Sequence, residues 1–109
     1  MTTFNTYQAL ANLTVVYDKT YNIMYPTLGL VGEAGEIANK VKKIYRDKRG
    51  EFSDADREEI GKEIGDVLWY CSALCTDLGL NLETQVEINL RKLRSRLERG
   101  TLQGSGDNR

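Results

Sequence analysis

Histidine is missing altogether from this chain of 109 residues. That absence removes histidine-based catalytic triads, histidine-ligated zinc and the Glu-x-x-His arrangement of di-iron helical bundles. Any metal held here must be held by oxygen, which points to Mg²⁺, with Mn²⁺ as its substitute. Cysteine is scarce too: Cys71 and Cys75 are the only two. They lie four apart on an expected helix, in line with its apolar residues, and read as buried thiols kept protonated by their surroundings. Neither charge sign dominates, since 15 Lys and Arg face 16 Asp and Glu for a net charge of -1. A general basic field for gripping nucleic acid is therefore absent, although small phosphorylated ligands stay open. No apolar run reaches the roughly eighteen residues of a membrane span, and no charged, apolar, small-residue leader stands at the start. The expectation is a cytoplasmic protein with no membrane and no nucleic-acid partner.

What is present is helical sequence almost throughout, with Pro26, the single proline, as punctuation between a first and a second helix. Helix one is expected from about Thr6 to Lys19, with Tyr7, Leu10, Leu13 and Tyr17 on one face. Helix two is expected from near Thr27 to Lys48, closed by Arg49-Gly50. Ser53 or Asp54 should cap helix three, with Asp56, Glu58 and Glu59 in its first turns, where the helix dipole favours negative charge. Gly79 should end that helix, Asn81 should open a fourth, and Gly100 should stop it after Glu98. Residues 1–100 thus form one helical domain, and residues 101–109 a polar, glycine-rich tail read as a flexible end. The stretch Val67 to Cys75 carries no charge on any face. So short a chain has little of its own structure to cover it, which predicts a homo-oligomer, a dimer or a dimer of dimers, with Trp69 and Leu74 largely buried.

Two short segments repeat one pattern. Glu33-Ala34-Gly35-Glu36-Ile37 and Glu63-Ile64-Gly65-Asp66-Val67 both read Glu, apolar, Gly, acid, apolar. At about 100° per residue, Leu30, Ala34, Ile37, Val41, Ile44 and Tyr45 form one stripe, and Ile60, Ile64, Val67, Leu68, Cys71, Leu74, Cys75 and Leu78 another. Each acid pair borders its stripe on the same flank. Burying the stripes against each other brings four carboxylates to one edge of the seam, an unfavourable crowding unless a cation sits among them. A divalent metal is the natural cation. Taken alone, each Glu-x-x-acid pair is what a solvated helix face also shows. Lys40 is placed to partner Glu36, but nothing comparable follows Glu63. Glycine in a helix costs about 1 kcal/mol relative to alanine, so Gly32, Gly35, Gly61 and Gly65 call for a reason: close helix approach, or room for a ligand.

These residues resemble a known family, the all-α NTP pyrophosphatases of the MazG type. The resemblance rests on Leu28-Gly29-Leu30-Val31-Gly32-Glu33-Ala34-Gly35-Glu36, on Glu63-Ile64-Gly65-Asp66-Val67-Leu68-Trp69-Tyr70, on Asn89-x-x-Lys92-Leu93-x-x-Arg96, and on the ending from Arg99-Gly100-Thr101 to Gly104-Ser105-Gly106-Asp107-Asn108-Arg109. It covers nearly the whole chain. It implies an all-α, four-helix protomer packed into an oligomeric bundle, and hydrolysis of a nucleoside triphosphate to monophosphate and pyrophosphate in nucleotide-pool house-cleaning. Glu33, Glu36, Glu63 and Asp66 would then be the catalytic metal ligands for Mg²⁺. Tyr70, Asn89, Lys92 and Arg96 would contact the substrate, with Lys40 and Lys43 as further phosphate contacts. Core packing for Tyr70, and a plain solvated basic face for the lysines and Arg96, are the alternatives. The rival for the whole chain is a catalytically silent helical dimerisation or interaction module. A weaker third reading is an acidic bundle that binds a cation only structurally.

Overall fold

The computed structural model describes residues 1–109. It is all-helical: α1 spans Phe4–Asn12, α2 Met24–Lys48, α3 Asp54–Asp77 and α4 Leu82–Glu98, with one 3₁₀ turn at Lys19–Tyr21. No helix is long and apolar enough to cross a membrane.

The end of α2 and both ends of α3 and α4 lie where their local chemistry dictates. Ser53 caps α3 in a reciprocal box: its hydroxyl accepts from the Asp56 N–H at 3.1 Å and the Asp56 carboxylate accepts from the Ser53 N–H at 3.0 Å. Asn81 caps α4 by accepting from the Thr84 N–H at 2.9 Å. Helix α2 closes through Arg49 in the left-handed region and Gly50 at φ +79°, whose N–H returns to the Ile44 carbonyl. A Cβ at Gly50 would also lie 2.6 Å from the Tyr45 ring, so glycine is required there twice over.

The first third of the chain departs from expectation. Helix α1 stops at Asn12 instead of reaching Lys19. The β-branched run Thr14-Val15-Val16 disfavours further helix, and tertiary bonds take over. The Thr14 hydroxyl donates to the Ala11 carbonyl at 2.7 Å and accepts from the Trp69 indole N–H at 2.8 Å. Helix α2 starts three residues before Thr27, so Pro26 lies inside its first turn, where no backbone donor is needed. Ile23, just outside, takes φ +69° and ψ -55°, a γ-turn closed by the Met24 N–H on the Asn22 carbonyl at 2.7 Å. Asp77, at the far end of α3, holds this strained residue in place: its carboxylate accepts the Ile23 N–H at 2.9 Å and the Tyr17 hydroxyl at 2.8 Å. The Tyr17 phenol is pushed up to about 12, by burial first and then by Asp77.

Helices α2 and α3 pack as an antiparallel hairpin. Lys48 meets Asp56 near the turn, Lys40 meets Glu59 further along, and Gly29 meets the Tyr70 ring near the open end. Helix α1 lies against α3, and Gln8 joins it to the α3–α4 corner by donating to the Leu80 carbonyl and accepting from the Leu82 N–H.

The core of a single chain is thin. Ile44, Ala73 and Leu82 are its buried apolar residues. Of the expected stripes, Ala34, Tyr45, Ile64, Leu68 and Leu78 are exposed, and on α1 so are Leu10 and Leu13. Trp69 and Leu74 are half-buried. The radius of gyration, 16.8 Å, exceeds the roughly 13 Å of a compact chain of this length.

Candidate active site

Three of the four repeated acids meet. Carboxylate oxygens of Glu33 on α2 and of Glu63 and Asp66 on α3 lie within 4.8 Å of one another. The antiparallel register brings this about, because the face of α2 one turn after Gly29 opposes the face of α3 one turn before Tyr70. Glu36 stands a turn further along α2, exposed and outside the trio. None of the four enters an ion pair with a lysine or arginine. The crowding registers on Glu33, whose carboxyl is held above the usual range by its hydrogen bond with Glu63, then by burial, then by the charges of Glu63, Asp66 and Glu36.

The trio borders a cleft of about 370 Å³ lined by Thr14, Glu33, Asp66, Trp69 and Tyr70. Tyr70 is fixed on both sides: its ring lies over Gly29, where a Cβ would come within 2.2 Å, and stands edge-on to Trp69 at 5.0 Å. Burial, then Tyr25 and the charge of Glu33, push its phenol upward, so it faces the cleft as a neutral donor. Tyr25, near the start of α2, is already stacked on Tyr17 at 4.5 Å. Burial likewise raises both thiols, of Cys71 and Cys75, which keeps them protonated as expected.

The expected phosphate contacts lie elsewhere in the single chain. Lys40 and Lys43 line a separate groove between α2 and α3 with Lys48, Asp56 and Glu59, and Lys40 reaches Glu59 across the seam at 3.9 Å instead of its own-helix neighbour Glu36. Asn89, Lys92 and Arg96 sit on α4, outside the lining of the carboxylate cleft. There the expected flexible tail is instead folded back onto the helix, with Asp107 3.2 Å from the Lys92 ammonium. Of the four helical glycines with no evident reason, Gly32, Gly35, Gly61 and Gly65, none is in close approach, and a Cβ on any of them would meet open space. The tight approach is at Gly29. Its position was readable: it precedes Glu33 by one turn as Tyr70 follows Asp66 by one turn, and antiparallel packing sets the two face to face. Thr14 and Trp69 carried no comparable signal, because a single tertiary hydrogen bond joins them.

Fold and site together define an all-α protein with a close-set, all-oxygen carboxylate centre that lacks a counter-cation from its own chain, the donor set that suits a hard divalent ion. The family model described as the MazG nucleotide pyrophosphohydrolase domain matches residues 25–100, and the chain belongs to that family. The matched span runs from the first turn of α2 through the end of α4 and contains all four acids. The chain is also 50% identical over 109 residues to the Gene 37 protein of Mycobacterium phage L5, covering 94% of this chain and 96% of that one. No solved structure matches it.

Proposed function

We propose that the protein is a Mg²⁺-dependent nucleoside triphosphate pyrophosphohydrolase that converts a (d)NTP and water to the (d)NMP and pyrophosphate, in the service of nucleotide-pool house-cleaning. The observation that carries this reading is the uncompensated trio of Glu33, Glu63 and Asp66 at the edge of an open cleft. A structural scaffold gains nothing from such a centre, because its like charges repel and are partly desolvated. Glu36, exposed and free of ion pairs, is one turn from Glu33 and would be the fourth ligand of the set that the family resemblance assigns. When bound, Mg²⁺ neutralises charge on the triphosphate and on the departing pyrophosphate. The carboxylates hold it and supply the base that takes the proton of the attacking water. Tyr70 donates its hydroxyl hydrogen to a phosphate oxygen.

Of the phosphate contacts that family resemblance assigns to α4, Arg96 is buried and held by the Gly106 and Asp107 carbonyls, which leaves Asn89 and Lys92 on a helix whose Leu90, Leu93 and Leu97 are exposed. Packing of a second copy on that helix is what would bring these two residues to a carboxylate cleft. It would also cover Leu28 and Val31 on α2 and Ile64 and Leu68 on α3, which a lone chain leaves in water. We therefore place the activity in a homo-oligomer, a dimer or a dimer of dimers, in the cytoplasm.

The test is incubation with each standard ribo- and deoxyribonucleoside triphosphate plus Mg²⁺, followed by chromatography. Monophosphate and pyrophosphate should appear, and EDTA should stop them. Release of orthophosphate and diphosphate, turnover indifferent to chelation, or no turnover at all would overturn the reading, the last in favour of a silent interaction module.

A further inference from the structure

The C-terminal tail is a built loop closed by two arginines. Arg109 donates from Nε to the Thr101 carbonyl at 3.1 Å, and from its terminal nitrogens to the Gly106 carbonyl at 2.5 Å and the Leu102 carbonyl at 2.9 Å. Arg96, only 4% exposed, donates to the carbonyls of Asp107 at 2.8 Å and Gly106 at 3.3 Å. Gly104 and Gly106 make the loop possible, with φ of +150° and +84°. This ring of main-chain acceptors satisfies a buried guanidinium, which would otherwise be costly. The Asp107 carboxylate is held differently. It points outward, 82% exposed, and meets Lys92 Nζ at 3.2 Å and Arg96 at 3.4 Å. Lys92 first, and Arg96 after it, hold the Asp107 carboxylate below its usual range.

We propose that Asp107 is a built-in stand-in for a substrate phosphate: its carboxylate occupies the Lys92 ammonium in the free protein and yields it to a phosphate oxygen when a triphosphate binds, while the Arg96 anchor keeps the tail docked. The inference rests on the reading of Lys92 as a phosphate contact. The geometry separates an anchor from a placeholder. Two carbonyls on a buried guanidinium form a durable attachment, whereas an exposed carboxylate held by the Lys92 ammonium at 3.2 Å and by a longer 3.4 Å contact to Arg96 is a weak pair that a polyanion displaces from the ammonium. The exchange keeps Lys92 neutralised in the resting protein and makes Asp107 a competitor that sets substrate affinity.

The test uses the full chain without divalent metal and inorganic tripolyphosphate as the probe, followed by amide NMR. At saturation the Asp107 and Asn108 amides should shift while the Thr101 and Leu102 amides keep their folded positions. Asp107→Asn should bind tripolyphosphate about two- to fivefold more tightly, the range set by the loss of one exposed competing pair, and should lower KM for the nucleotide more than it changes kcat. Arg96→Met should release the whole tail to unfolded amide positions. Unmoved Asp107 and Asn108 amides, or equal or weaker binding by Asp107→Asn, would overturn the proposal. The two readings fail separately: wild type that hydrolyses no nucleotide removes the proposed activity but leaves the tripolyphosphate titration to decide the role of Asp107, and normal hydrolysis with an inert tail removes only the latter.

Discussion

The two ends of the α2–α3 hairpin are built on opposite electrostatic rules. Near the turn every acid that crosses the seam meets a base: Lys48 and Asp56 at 2.9 Å, Lys40 and Glu59 at 3.9 Å. Toward the open end the seam brings Glu33, Glu63 and Asp66 within 4.8 Å with no base among them. Helix geometry and register are the same at both ends. What differs is the choice of side chain, so the chain's ability to pair its charges is on display one end away from where it does not. The crowded end is therefore not a by-product of an acidic sequence, and the paired end serves as its internal control.

The sharpest way to break the comparison is to remove one carboxylate and read chemistry. Asp66→Asn or Glu63→Gln should cut Mg²⁺-dependent nucleotide hydrolysis by about 10²- to 10⁴-fold, the scale on which enzymes lose preorganised electrostatic stabilisation. Lys48→Met at the paired end should leave turnover within about twofold, since surface pairs contribute little. Equal losses at both ends, measured by pyrophosphate release, would mean that the hairpin responds only through its fold.

Next in size is the contact that sets the open end's geometry. Gly29→Ala places a methyl carbon within 2.2 Å of the Tyr70 ring, so the ring or the helix must move. Overpacking of this kind costs about 1 to 3 kcal/mol, more than the gain of roughly 1 kcal/mol from replacing glycine in a helix. The thermal midpoint should fall and activity should fall with it. Gly32→Ala, on the same helix with open space at its Cβ, should leave the single chain as stable or more so. If Gly32→Ala is the damaging change, a second copy packs there.

These contrasts also mark what the sequence made legible. The end of α2 and both ends of α3 and α4 could be read because Ser53, Asn81, Gly50, Gly79 and Gly100 act within a turn of where they sit, whereas the start of α2 has no side-chain cap to announce it. The end of α1 was missed: the β-branched run Thr14-Val15-Val16 weighs only weakly against helix, and the bond from Trp69 to Thr14 that fixes the chain there crosses the fold. Of the apolar stripes Ile44 is buried, yet Ala34, Tyr45, Ile64, Leu68 and Leu78 are exposed in a single chain, since periodicity gives a direction and not what lies in it. At the site, repetition and spacing picked out the three acids that meet, together with Glu36, which stays outside the trio. The partner of Lys40 was misread because own-helix spacing competes with a cross-helix contact that needs the register. The tail's glycines read as flexibility, whereas Arg96 and Arg109 close them into a loop, a pairing no local pattern announces.

A smaller effect separates the two roles of the crowded acids. Glu33→Gln removes charge from the site while keeping its shape, so in metal-free buffer the variant should match wild type or exceed it by up to about 1 kcal/mol, a modest gain because the site is partly solvated. With Mg²⁺ the order should reverse, since wild type alone gains the full linkage stabilisation of the bound ion. Paired thermal melts with and without Mg²⁺ read both signs. A variant less stable in both buffers would make Glu33 a structural hydrogen-bonding residue.

The finest contrast is in pH, where the two ends should respond with opposite sign. Crowding raises Glu33 above the ordinary carboxylate range, so protonation is easier in the folded chain than in the unfolded one. Metal-free protein should therefore gain stability at this end as pH falls from neutral through the raised value of Glu33, a gain fully present below the unfolded value and lost again as pH rises. Lys48, and after it the Ser53 backbone, hold Asp56 down at about 2, against 3.8 for the free side chain. Its contribution is present above 3.8 and disappears as pH falls toward about 2. Denaturant midpoints between pH 7 and 2 should rise slightly before they fall. Glu33→Gln should flatten the rise and Asp56→Asn should weaken the fall, with saturating Mg²⁺ at neutral pH removing the advantage of the variant at Glu33. A monotonic fall identical in both variants would show that neither end differs from an ordinary acidic surface.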